Sequence, residues 1–114
     1  MLKYNNNIIA SKIIYCDSFL RKGTGLIFRS KSSVDDTAWI FRFKNPRKVG
    51  ITMIFVFFPI DILLLDQHNT IVELKENLKP YQFYNSKVKI YSFIELKQGT
   101  IHKYSLKKGE TVKF

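Results

Sequence analysis

The run Ile51 to Leu65, ITMIFVFFPIDILLL, constrains this chain more than any other stretch, because it is almost wholly apolar yet holds Pro59 and Asp61 near its centre. A bilayer span needs about 20 predominantly apolar residues, and this run is shorter, contains a proline and carries a carboxylate. No membrane span is expected. Its β-branched and aromatic members, among them Ile51, Thr52, Ile54, Val56, Phe57 and Phe58, favour extended structure buried on both faces of a sheet.

At 114 residues the chain is long enough for a single hydrophobic core without disulfide or metal staples, so one domain over residues 1–114 is expected. A composition that is 46% hydrophobic and 15% aromatic argues against disorder. Cys16 stands alone, which excludes an internal disulfide and a multi-cysteine metal cluster. The opening MLKYNNNIIASK lacks the apolar core of about 7–15 residues that a secretory signal needs, and a cytoplasmic location is the expectation. The formal charge of +10 biases the chain toward polyanions, and the most lopsided region runs from Arg21 to Lys48.

Alternation from Ala38 to Lys44 places Trp39, Phe41 and Phe43 on one face and Ile40, Arg42 and Lys44 on the other, the period of a strand half exposed to water. Asn45 to Lys48 reads as a turn, with the long apolar run following as an antiparallel neighbour. Ile60–Asp66 and Thr70–Glu76, separated by Gln67, His68 and Asn69, read as a hairpin. A further strand is expected from Val88 through Glu95, a last one from Thr111 to Phe114, and an opening one from Ile8 to Cys16. Asp17 and Ser18 can cap a short helix from Phe19 toward Leu26, and Gly99 to Tyr104 can form one more turn. The expected fold is mostly β: an antiparallel sandwich or partly open barrel with one or two short helices.

Several segments, in order, resemble the domain-of-unknown-function family DUF192. Lys22-Gly23-Thr24-Gly25-Leu26-Ile27-Phe28-Arg29 is similar to that family's Arg-Gly-Leu-Met-Phe-Arg block, and Trp39 to Phe43 to its next aromatic strand. Met53 to Asp66 is the strongest match, to Met…Phe-Pro-Ile-Asp-Val-Ile-Phe-Leu-Asp. Asn77 to Tyr81 and Ile94 to Gly99 are similar to the later Leu-Lys-Pro-Trp and Leu-Glu-Leu-Pro-Ala-Gly blocks. The chain departs from the pattern at Lys48 to Met53, where many members carry Trp-Met-Lys-Asn-Thr, and at Lys97, where proline is usual. The resemblance implies a compact, mostly β fold and carries no established biochemical role.

Two residues stand out as binding candidates. Asp61 is flanked by apolar residues on both strand faces, so its carboxylate must be paired or solvated; an ion pair, backbone hydrogen bonds, a general base and a cation receptor all satisfy that demand. Arg29 can hold an anion through its guanidinium fork or pair with Asp61. Arg42, Lys44, Arg47 and Lys48 are the nucleic-acid candidates. Cys16, His68 and His102 supply the residue types of a Cys–His nucleophile without a local signature, and no metal or cofactor is expected. Tyr81, Phe83, Tyr84 and Tyr91, interleaved with Lys79, Lys87 and Lys89, can be read as a stacking platform, but in so small a domain they read first as core or interfacial residues. Together these observations predict a non-catalytic module for a small ligand or a protein partner. A basic nucleic-acid-binding domain with weak, non-specific affinity is the alternative, and an enzyme centred on Asp61 the third reading.

Overall fold

The computed structural model describes residues 1–16, 29–54 and 56–114. Strands β1 (Leu2–Tyr4), β2 (Asn7–Ala10) and β3 (Lys12–Tyr15) lead to a 3-10 turn at Lys31–Val34. The long β4 (Thr37–Arg47) follows, then β5 (Gly50–Thr52), β6 (Ile60–Leu65), β7 (Ile71–Leu78), β8 (Phe83–Asn85), β9 (Ile90–Lys97) and the short helix α1 (Thr100–Tyr104). Five strands form one sheet in the order β3-β4-β9-β6-β7, while β1 pairs with β2 and β5 with β8. All pairings are antiparallel except β3 with β4. The fold is mostly β, as expected, and open: among the described residues the sheet does not close into a barrel.

Both faces of the sheet are buried, which explains why β6 is apolar at almost every position. Trp39, Phe41, Ile60, Ile62, Leu64 and Phe93 project into one core, packed by Ile51, Met53, Val56, Phe58 and Leu78 from the β5–β8 side. Ala38, Ile40, Leu63, Leu65, Ile94 and Leu96 project into a second core, covered by Leu2, Tyr4 and Ile9 of the first hairpin and by Ile101, Leu106 and Val112. The result is three layers, with the five-stranded sheet in the middle. Backbone bonds between Lys3 and Lys113 in both directions, at 2.7 and 2.8 Å, stitch the C-terminal segment onto the outer hairpin.

The structure corrects several local expectations. The apolar run is not one strand beside β4: β5 leaves the main sheet to pair with β8, residues 53, 54 and 56–59 lie outside any strand, and β6 pairs with β9 and β7. Pro59, which cannot donate to a ladder, marks the point where the chain re-enters the sheet. β9 therefore lies between β4 and β6. Ile40 is fully buried because the first hairpin covers the face that was expected to meet water, while Arg42 and Lys44 are exposed and Phe43 is half-buried where the β4–β9 register shifts. The opening strand divides at Ser11, whose N–H donates to Asp36 Oδ1 at 2.9 Å. Val88 is exposed ahead of β9, and the C-terminal strand is reduced to isolated bridges. The β6–β7 hairpin and the turn at α1 are found where expected. The helix expected over Phe19 to Leu26 lies outside the described residues.

Asp61 ties these elements together. Its side chain is fully buried, and its carboxylate accepts three backbone hydrogen bonds: Asn77 N–H to Oδ1 at 2.9 Å, and Gly99 and Ile101 N–H to Oδ2 at 3.1 and 2.9 Å. One side chain on β6 thus fixes the end of β7 and the link from β9 into α1. Gly99 reaches its place with φ of 94°, a conformation that side-chain-bearing residues adopt only under strain. Asp61→Asn keeps the size but turns an N–H₂ toward backbone donors, so we expect a loss of at least about 2 kcal/mol of folding stability in chemical denaturation. A loss below about 0.5 kcal/mol, the range of ordinary surface changes, would contradict this role.

Candidate functional site

Glu95 lies in the middle strand of the sheet, directly between Trp39 of β4 and Ile62 of β6. Strand parity sends its carboxyl into the first core, beside the largest aromatic residue of the chain. It is 6% exposed, and its Oε1 has no hydrogen-bond partner among the described residues. Burial pushes the carboxyl up to about 8, so near neutrality it is largely protonated and presents an O–H donor together with a carbonyl acceptor. The Trp39 indole is held by its Nε1–H, which donates to the Ser33 carbonyl at 2.9 Å. The Arg29 guanidinium carbon lies 4.9 Å from the centroid of the Trp39 ring, within cation–π range.

Arg29 and Asp61 do not converge. Trp39, over which Arg29 lies, belongs to the first face, whereas Asp61 shares the parity of Leu63 and Leu65 on the second. Asp61 is occupied by three backbone donors, an arrangement that favours a structural use of the carboxylate. The basic candidates do stand together along the outer half of β4, which runs on through Asn45, Pro46 and Arg47 where a turn was expected, and the short link after it: Arg42, Lys44, Arg47 and Lys48 are all exposed. Arg42 stacks 4.3 Å from the Tyr15 ring centroid and Arg47 lies 5.1 Å from that of Phe43. Cys16 is buried in the first core, while His68 and His102 are exposed in the β6–β7 turn and on α1. Among the described residues no group of three or more His, Cys, Asp or Glu side chains is placed to hold a metal ion.

The aromatic residues expected in the core divide. Tyr81 and Phe83 are instead 70% and 69% exposed, because the β5–β8 ribbon carries them beyond the edge of the first core. Tyr84 donates its hydroxyl to Glu73 Oε1 at 2.7 Å, and Lys87 and Val88 N–H also donate to that carboxylate. Burial raises the Glu73 carboxyl, but these hydrogen bonds outweigh it and leave the group below its ordinary value. Tyr84 is pushed up to about 12 by burial and by the same partner. Neither Glu73 nor Glu95 stood out in the sequence. For Glu95 the signal was parity, since it is two residues from Phe93 and shares its face.

A cleft of about 360 Å³ lies between β2, the turn at Asp36 and α1. Three of its polar side chains are already engaged: Asp36 with Ser11, Lys97 with Asp35 at 3.4 Å, and Thr100 with the Lys97 carbonyl. A second cleft, about 350 Å³, is lined by Tyr15, Arg42, Phe43, Asp66, Tyr91 and Phe114.

A family model for uncharacterised ancient conserved regions matches residues 2–114, nearly the whole chain. The chain belongs to DUF192. Two solved structures share its fold. One is a proposed transcription regulator from Sinorhizobium meliloti, with TM-score 0.82 and 22% identity over 89% of this chain and 79% of that one. The other is a protein of unknown function from Novosphingobium aromaticivorans, with TM-score 0.82 and 19% identity over 90% and 74%. No curated protein matches the chain. In this DUF192 member Glu95 occupies the glutamate position of the block similar to Leu-Glu-Leu-Pro-Ala-Gly, and Asp61 the aspartate after Phe-Pro-Ile.

The Glu95 carboxyl makes a specific pH prediction. Its folded value lies above the ordinary 4.5, so between those limits the folded state holds a proton that the unfolded chain has released. This contribution to stability is complete below about pH 4.5 and is lost as the pH rises through about 8. Glu73, shifted the other way, loses its contribution only as the pH falls below its ordinary value, so the two windows are separate. The folding free energy from denaturation across neutral pH should fall with rising pH for the wild type, by up to ~1.4 kcal/mol per unit. Glu95→Gln should flatten that slope and be the more stable protein at the alkaline end. Parallel slopes for the two proteins would show that Glu95 titrates normally.

Proposed function

We propose that this DUF192 domain is a non-catalytic binding module for a small molecule, and that the Glu95 carboxyl is the group that meets the ligand. The observation supporting this reading is the buried Oε1, without a hydrogen-bond partner among the described residues, on the strand position paired with Trp39. A buried polar atom left unanswered costs roughly 1–3 kcal/mol, and a ligand nitrogen bearing an N–H would remove that cost on binding. The favoured ligand class is therefore a compact molecule with an amide or amine group and an apolar body that rests on Trp39. Catalysis is disfavoured because, among the described residues, no second titratable side chain is hydrogen-bonded to Glu95. The cytoplasmic location belongs to the same proposal; among the described residues no helix is long and apolar enough to cross a membrane.

Trp39 is the only tryptophan, so its fluorescence and indole N–H resonance report on this position directly. A fragment library of small amides and amines should contain members that shift the Trp39 and Glu95 resonances together, and Glu95→Leu, which fills the space without polar atoms, should abolish those shifts. Fragments that perturb only the two open clefts would sink the proposal.

A second reading is favoured by one specific arrangement, the four exposed basic residues of the β4 arm with Arg42 on Tyr15 at the mouth of the second cleft. The description of the Sinorhizobium meliloti protein as a proposed transcription regulator lends it support. Binding by this arm would be electrostatic and indifferent to sequence, detectable at low ionic strength and weak near physiological salt. Replacing Arg42, Lys44, Arg47 and Lys48 by alanine should reduce the slope of log affinity against log salt by roughly 3–4. An unchanged slope would locate any binding elsewhere.

A further inference from the structure

The end of the β5–β8 ribbon carries a group of apolar side chains that neither reading uses. Ile54, Phe57, Tyr81 and Phe83 are 49%, 57%, 70% and 69% exposed, whereas their neighbours Met53 and Val56 are turned into the first core. Hydrogen bonds lock the two contributing loops side by side: Met53 N–H donates to the Gln82 carbonyl at 2.8 Å, and Tyr81 N–H to the Met53 carbonyl at 3.2 Å. Thr52 pairs with Phe83 on the adjoining ribbon. Tyr81 adopts φ of 65°, a strained conformation for a bulky side chain, and is the most exposed of the four. Strain that holds an aromatic ring in water is concentrated here at a projecting tip.

The segments that build the tip carry one sign of charge, and the nearest carboxylates, the buried Glu73 held by Tyr84 and the exposed Glu76, belong to the neighbouring β7. In sequence, residues 44–59 and 77–94 contain Lys44, Arg47, Lys48, Lys79, Lys87 and Lys89 and no aspartate or glutamate. Lys79 opens the turn that presents Tyr81, closed by Gln82 N–H donating to its carbonyl at 3.1 Å. Lys48 and Lys87 flank the other end of the ribbon, next to the Val49–Ser86 hydrogen bonds. Three strand residues span about 10 Å. The collar thus sits about one Debye length from the tip at physiological salt.

We infer that this tip docks the protein on an anionic lipid surface, with Ile54, Phe57, Tyr81 and Phe83 entering the headgroup boundary and the lysines meeting the lipid phosphates. The occupant must offer an apolar phase and negative charge on the same side. A free anion or a nucleic acid would engage the collar but leave Ile54 and Phe57 in water. A lipid interface takes mixed aliphatic and aromatic side chains without needing a complementary shape, and it is where aromatic and cationic residues are jointly enriched.

The test is co-sedimentation of the full chain with phosphatidylcholine vesicles, with and without about one third phosphatidylglycerol. Binding is expected to the anionic vesicles and to persist at physiological salt. It should fall at least tenfold in the double variant F57S/F83S, compared at a temperature where the denaturation curve of each protein shows it fully folded. A second measurement separates insertion from mere adhesion: Phe83→Trp should shift its emission to the blue on anionic vesicles and not on a polynucleotide. Undiminished vesicle binding by F57S/F83S would assign the affinity to charge alone and overturn the inference. So would failure to bind anionic vesicles, or a blue shift produced only by a polynucleotide.

Discussion

Three backbone N–H groups converge on the two oxygens of Asp61, and much of the architecture depends on that convergence. A bare carboxylate between Ile60 and Ile62 in a fully buried strand would be prohibitively unfavourable. Answering it with main-chain donors from Asn77, Gly99 and Ile101 makes it a structural joint, because the donors come from the end of β7, the link after β9 and the first turn of α1. The end of β7 and the start of α1 are thereby referred to the same atom pair. Ile101 and the residues after it can then cover the second face, which lets β6 be apolar on both sides.

Glu95 shows the opposite solution on the other face of the same sheet. One carboxylate is buried and hydrogen-bonded; the other is buried beside Trp39 with an oxygen unanswered among the described residues. Desolvation dominates there, and the group responds by keeping its proton. Two acidic residues on adjacent central strands are thus accommodated differently, one by three main-chain donors and the other by burial that favours its protonated form. Glu73, held by a hydroxyl and two backbone donors at the sheet edge, resembles Asp61 in having its oxygens answered by hydrogen bonds, and its carboxyl lies below the ordinary value.

The fold class was legible because it rests on short-range patterns. Alternation in β4 exposed Arg42 and Lys44, the Gln67–Asn69 turn closed the β6–β7 hairpin, and the ordered blocks pointed to DUF192. Strand order was not legible, because nothing local in residues 38–65 records that β9, arriving some thirty residues later, separates β4 from β6. The same gap concealed the site. Glu95 becomes notable only once Trp39 and Ile62 are known to flank it, and the burial of Ile40 follows from a hairpin formed by residues 2–10. The exposure of Tyr81 and Phe83 was also hidden, since an aromatic count cannot reveal that a ribbon projects past the core.

The position of β9 has a consequence for how the chain is made. The middle strand of the sheet is the last to be synthesised, and it joins Trp39 to Glu95 and Ile62 to the same residue across long loops. Until residue 90 has emerged, β4 and β6 present unpaired inner edges with apolar residues on both sides, the kind of surface that recruits other strands. The local β6–β7 hairpin can form early, but the sheet closes only when nearly the whole chain is available, which places the protein among slow, non-local folders. A chain cut short before Ile90 would lose the centre of its sheet and keep only its flanks.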